Sequence, residues 1–281
     1  MQKNLDFNSL GYFRRALGAT GLMLALSLSG CGVRNPARTA KGLITNYTNC
    51  IQAPDQSNGT YQGRWAGLPI PIVFDRDFYT ADNGGAMPGL RAAAETWNNW
   101  SRLKGKQAFK INSDGVGQTA GRDIPEIDSC DQGSYSSSVT DMVGIWKIAT
   151  AGAHANIRPN CGRILAFDPA TGAGVQGQTD WTVINGKITG ASILLNFEGY
   201  NAPGRLRIDA ESLLLHEMGH VLGLLHSCNG SGTNSTDGTT APACDFAPDS
   251  YKTAVMFPFL QPQQERRTLG QNDYNRINCL Y

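Results

Sequence analysis

Apolar and polar positions change period several times along the chain, and each period predicts an element. Residues 68–74, Leu-Pro-Ile-Pro-Ile-Val-Phe, form an apolar run kept extended by Pro69 and Pro71, because a proline disfavours helix in the residue before it. The two prolines predict an edge strand or a strand start. Residues 75–88 are a polar connection. Over 89–103, Leu90, Ala93, Ala94, Trp97, Trp100 and Leu103 recur at three and four, which predicts a helix with one apolar face. Trp97 and Trp100 fall on that face and read as core. Residues 108–111 alternate as a short strand, and 142–148 and 164–167 read as further strands. Residues 172–178 read as a glycine-rich loop. Asn185-Gly186 between 181–184 and 187–189 is a strong hairpin signal, and 191–197 is a last apolar strand. Asp209 is a good N-cap for a second long helix, with Glu211 in its first turn. Leu213, Leu214, Val221 and Leu222 give that helix a buried face, so it is a core helix.

The same helix carries the chemistry. His216-Glu217-Met218-Gly219-His220-Val221-Leu222-Gly223-Leu224-Leu225-His226 puts two imidazoles four residues apart, on one helical face. His216 and His220 can then share one metal ion. Gly223 tolerates the left-handed backbone that ends a helix, and the turn there brings His226 back as a third ligand. Three protein ligands with an open fourth position are the catalytic form of a zinc site. Glu217 stands beside the first ligand, where its carboxylate can serve as general base. The chain has 4 His, and three fall in this motif. The extended pattern fixes five positions and is far more specific than its H-E-x-x-H core. His154 reads as a surface loop residue.

Composition bounds the rest. With 41% hydrophobic and 17% charged residues the chain can bury a core, and a formal charge of +1 argues against a nucleic-acid partner. Residues 1–30 combine Lys3, Arg14 and Arg15 with a short apolar stretch, 17–28, in the proportions of a signal peptide. Leu28-Ser29-Gly30-Cys31 resembles a bacterial lipobox, which implies lipidation at Cys31 and an exported protein anchored at the outer membrane or cell surface. The alternative is an ordinary secretory signal. Residues 31–63 follow as a lipidated cysteine and polar tether, and 64–281 as the folded domain. Cys50, Cys130, Cys161, Cys228, Cys244 and Cys279 remain, an even set that suits disulfides in an oxidising compartment. Sequence does not choose their connectivity. A local Cys228–Cys244 staple with Cys130–Cys161 and Cys50–Cys279 is the pairing adopted here as an expectation. The loop acids Asp114, Asp123, Glu126, Asp128 and Asp131 fit no EF-hand spacing, so Ca2+ has no clear motif in its support.

Thirty residues beyond His226 stands Ala254-Val255-Met256-Phe257-Pro258. The long histidine motif followed by such a methionine resembles the metzincin metallopeptidases. Within them the chain is most similar to the matrixins: Ser227 follows the third histidine, Met256-Phe257-Pro258 resembles their Met-Tyr-Pro turn, and no tyrosine stands two places after the methionine. The closing segment 269–281, ending Leu280-Tyr281, resembles their terminal helix. The resemblance implies an α+β, zincin-like fold. Its parts are a twisted five-stranded mixed sheet with one antiparallel edge strand, two long helices behind it, and a small C-terminal subdomain carrying the Met-turn and last helix. It implies Met256 as an apolar floor under the zinc ligands, an extended peptide along the edge strand, and Pro258, Phe259 and Leu260 as a pocket wall.

The resemblance implies a zinc endopeptidase, a monomer acting on protein or peptide substrates and reaching the membrane through its N-terminal lipid. Two other readings stay open: a non-catalytic binding lipoprotein with a metzincin fold, and a zinc hydrolase of a non-peptide substrate. Two family features lack residues here. No repeated His/Asp set provides a second, structural zinc. Arg158-Pro159-Asn160-Cys161-Gly162 only faintly echoes an inhibitory cysteine switch, and a disulfide is the preferred role for Cys161.

Overall fold

A computed structural model describes residues 63–74, 86–111, 139–148, 176–197, 208–228 and 242–281. Within them the chain forms β1 (Arg64–Trp65), β2 (Ile70–Phe74), α1 (Ala86–Arg102), β3 (Phe109–Ile111), β4 (Val143–Ile148), β5 (Gly177–Ile184), β6 (Lys187–Asn196), α2 (Ala210–Val221), a 3-10 turn (Cys244–Phe246), α3 (Asp249–Lys252) and α4 (Gln271–Leu280). The architecture is α+β, with a mostly parallel sheet and a few helices.

Strand order is β1-β6-β4-β2-β3, and β5 pairs with β6. Among the described residues only the β5–β6 pair is antiparallel. The sheet has six strands among the described residues where five were expected, because the two-residue β1 joins β6 at Arg64↔Lys187 and Trp65↔Ile188. The expected strand at 164–167 lies outside the described residues. Interior strands are apolar without alternation, since both faces are covered. Ile193, Leu194 and Leu195 are all buried, as are Ile145 and Trp146.

Of the two positions that Pro69 and Pro71 suggested, they mark the strand start and not an edge: Pro69 precedes β2 and Pro71 is its second residue. The strand lies between β3 and β4, and its geometry shows why a proline is tolerated there. The Ile70 N–H donates to Ala108 O on the β3 side at 2.8 Å. Successive N–H groups alternate in direction, so the Pro71 nitrogen faces β4, where pairing begins only at Ile72↔Val143. The missing donor falls just before the ladder starts.

Helix α1 begins earlier than the periodicity suggested, at Ala86, and takes in Pro88. A proline in the first turn loses no intrahelical bond, because the first N–H groups have no partner there. The helix ends at Arg102, and Leu103 is 82% exposed instead of extending the apolar face. Trp97 and Trp100 are core as expected, packed edge to face with centroids 6.3 Å apart.

The hairpin is longer than its sequence signal. Asn185 (φ 51°) and Gly186 (φ 73°) are both left-handed, as a tight primed turn requires. From that turn β5 runs back to Gly177, so Gly177 and Gln178 are strand residues and not loop. A bulge between Thr182 and Val183 interrupts the register. One core, drawn from the sheet, α1, α2 and α4, joins all these elements.

Candidate metal centre

Helix α2 starts where Asp209 caps it. Its backbone is extended (φ −67°, ψ 116°), and its carboxylate accepts the Ser212 N–H at 2.9 Å. Arg267 holds the same carboxylate at 2.6 Å. The other end terminates at Gly223, whose φ of +99° is left-handed. The Gly223 N–H bonds His220 O at 2.7 Å and the Leu224 N–H bonds Gly219 O at 3.1 Å, which turns the chain back. A side chain at Gly223 would also collide with the carbonyl of Gly63.

That turn brings His226 to the two helical histidines. Ligand atoms of His216, His220 and His226 all lie within 4.8 Å of one another. Their rings pack at centroid separations of 4.7, 5.3 and 4.9 Å. Each Nε2 is buried without a hydrogen-bond partner. Three orphaned nitrogens aimed at one point would be costly if nothing bound there, and they are the donor set a metal ion requires. The fit extends to the outer nitrogens. His216 Nδ1 meets Val255 O at 2.7 Å, and His220 Nδ1 meets Leu224 O at 2.7 Å. A carbonyl can only accept, so each Nδ1 carries the proton and each Nε2 presents its lone pair. Burial pushes the His216 imidazole down to about 4 and those of His220 and His226 well below their usual range. All three are therefore neutral at pH 7, the form that binds a metal.

Met256 lies under this part of the helix. It is fully buried, and a β-carbon placed on Gly219 would collide with its sulfur. The bare helix surface between the two histidines is thus what Met256 packs on. Ser227 ties the two segments together: its N–H donates to Met256 O and its hydroxyl to Tyr251 O, each at 2.8 Å.

The terminal helix supplies two side chains that the sequence pattern did not single out. Asp273 is buried and accepts the N–H groups of Val255 (2.8 Å), Met256 (3.2 Å) and Gly270 (2.8 Å). Burial pushes its carboxyl up, against the pull of those three donors. Arg276 donates to Leu225 O at 3.0 Å and to His226 O at 3.1 Å. Asp273 holds the methionine turn, and Arg276 holds the segment bearing the third histidine.

Strand β5 flanks the helix on its Glu217 side. Alternate residues of a strand share a face, and here Gly177, Thr179 and Trp181 face α2. Thr179 Oγ1 donates to Glu217 Oε2 at 2.6 Å. Trp181 packs edge-on to the His220 ring at 5.9 Å, and its indole N–H bonds His220 O at 2.7 Å. Trp97 and Trp65 do likewise to Leu215 O (3.0 Å) and Val221 O (2.8 Å). Three indoles from three elements thus fix one helix. The hairpin signal covers only the second half of β5, 181–184; the half that meets Glu217 begins within the glycine-rich 172–178 and carries no apolar alternation of its own.

The other expected residues fall as follows. Pro258 is buried. Phe259 is half-buried against Phe257 and the cluster around Cys228 and Cys244, and Leu260 packs on the main core. Arg266 donates to the carbonyls of Phe257 (3.2 Å) and Phe259 (3.1 Å) and so braces that segment. Cys228 and Cys244 form a disulfide as expected. Cys279 is also disulfide-bonded, and the partner expected for it, Cys50, lies outside the described residues. So do Cys31, Cys130, Cys161, His154, the five loop acids and the apolar stretch 17–28. Among the described residues no helix is long and apolar enough to cross a membrane. The chain matches no protein-family model and no curated protein.

Proposed function

We propose that the protein is a zinc-dependent endopeptidase of the metzincin type, most similar to the matrixins. The observation that carries the reading is the convergence of three buried, unpartnered Nε2 atoms, two from a helix that also bears Glu217 and one from beyond its Gly223 turn. Support comes from Met256 packed beneath that helix, from Ser227 bonded to it, and from the antiparallel β5 at the side of the sheet next to α2. Zinc held by His216, His220 and His226 would supply Lewis acidity and a water acidified to a pKa of about 7.

The chain's own residues do the remaining work. The Nδ1 bonds of His216 and His220 orient the ligands. Glu217 takes the proton of the attacking water and passes it to the leaving amine, so that no covalent intermediate forms. An extended peptide is the substrate form we favour, bound by strand addition, with Pro258, Phe259 and Leu260 beside the cut. The reading includes export and a lipid anchor at Cys31. The Cys228–Cys244 disulfide suits an oxidising compartment.

The test is zinc content together with digestion of casein or gelatin by the full chain, with and without chelator. Glu217→Gln should keep its zinc and lose nearly all turnover. Full activity in that variant, or digestion insensitive to chelator, would refute the assignment.

A further inference from the structure

The peptidase reading needs the Glu217 carboxylate in one orientation, and the structure contains a device outside the histidine motif that supplies it. Glu217 is fully buried, and so is Thr179 on β5. The Thr179 hydroxyl lies 2.6 Å from Glu217 Oε2 and 3.3 Å from the Glu217 backbone oxygen. A hydroxyl has one proton, and the short contact to the carboxylate takes it. Two residues earlier, on the same face of β5, stands Gly177. A β-carbon there would come within 2.5 Å of Glu217 Oε1 and 2.9 Å of its carboxyl carbon. One carboxylate oxygen is held by a hydroxyl, and the other lies against a strand position with no side chain. Threonine is stiff at χ1, so the hydroxyl keeps its place.

We propose that Thr179 is a positioning residue for the reaction: with the bare backbone of Gly177 it fixes the plane of the Glu217 carboxylate. The proposal rests on the peptidase reading for its catalytic consequence, but not for its geometry. Thr179 touches neither substrate nor metal in this account. It acts through Glu217.

The experiment uses the full chain loaded with zinc, as wild type, Thr179→Val and Thr179→Ser. Valine keeps the shape and removes the donor, while serine restores the donor. A misplacement of about 1 Å in a reacting group can cost on the order of 100-fold in rate. Thr179→Val should therefore lower kcat by roughly 10- to 100-fold with KM within about twofold, and Thr179→Ser should recover most of the loss. Zinc stoichiometry should stay equal in all three. Crystal structures of the zinc-loaded proteins give a second readout: the carboxylate should swing in Thr179→Val and return in Thr179→Ser. Unchanged kcat in Thr179→Val, or a carboxylate that stays in place, overturns the proposal. So does a loss that Thr179→Ser fails to recover. If the wild type cuts no peptide at all, the peptidase reading falls by itself, and the carboxylate position in the three structures decides the positioning claim alone.

Discussion

The Val255 N–H donates to Asp273 Oδ2 at 2.8 Å, while the Val255 carbonyl faces His216 Nδ1 at 2.7 Å. One peptide segment thus links a buried carboxylate on the last helix to the first imidazole of the histidine cluster. Asp273→Ala would orphan the N–H groups of Val255, Met256 and Gly270. An unsatisfied buried donor costs about 1–3 kcal/mol. We expect a large fall in melting temperature and weaker metal binding together, read by calorimetry and by metal titration. A melting loss with unchanged metal affinity would break the proposed link.

Gly219 should invert the usual helix rule. Ala normally stabilises a helix interior over Gly by roughly 0.5–1 kcal/mol. Here the added β-carbon would meet the Met256 sulfur and lie 3.1 Å from Trp97 Cζ2. Overpacking costs about 1–3 kcal/mol, so Gly219→Ala should destabilise the protein. Combining it with Met256→Ala should recover part of that loss in a double-mutant cycle. Additive losses measured by urea denaturation would show that the two positions do not touch.

Removing a ligand should matter more to metal binding than to the fold. His226→Ala takes one nitrogen from the set and leaves the Gly223 turn intact. We expect binding of zinc to weaken by orders of magnitude, and a chelator to lower the melting temperature of the wild type but not of the variant. Equal chelator sensitivity in both would place the metal elsewhere.

Asp209 predicts a pH dependence. Burial of its carboxyl is the largest single effect and opposes ionisation. The bonds from Arg267 and from the Ser212 hydroxyl and N–H together outweigh it, so the folded pKa is lowered. A depressed carboxyl stabilises the fold above its unfolded pKa of about 4 and loses that contribution as pH falls through the folded value. Asp209→Ala should cost about 1 kcal/mol at neutral pH. The gap between variant and wild type should narrow as pH drops below about 4. Urea melts at the two ends of that range would show it, and a constant gap would exclude the ionised cap as its source.

The histidine motif was legible because its geometry is local: helix spacing and one glycine turn bring all three imidazoles together. Asn185-Gly186 marked the hairpin for the same reason, and the expected Cys228–Cys244 pair is likewise local, 16 residues apart. What was hidden depends on distant partners. Asp273 looks like an ordinary first-turn acid until Val255, 18 residues away, is brought to it. Arg276 looks like a surface residue, yet it holds His226 O from 50 residues off. Pro69 and Pro71 left an edge strand and a strand start both open, because sequence does not say which side of a strand the missing donor faces. Thr179 falls between the glycine-rich 172–178, which reads as loop, and the hairpin strand signal at 181–184, so nothing local marks it.

The indole and phenol that close α2 also bear on when the site can form. Trp65 bonds Val221 O through its ring at 2.8 Å, and its N–H meets the Tyr281 hydroxyl at 3.2 Å, 216 residues away. That hydroxyl in turn donates to Leu222 O at 3.0 Å. The carbonyls at the end of a helix have no partners within it, and here they take them from residues near both limits of the described chain. Contacts of such sequence separation are slow to form, because loop closure precedes their reward. The helix bearing His220 is therefore sealed late in folding. In pulse-labelled hydrogen exchange, amides at 220–224 should gain protection after those of the β5–β6 hairpin.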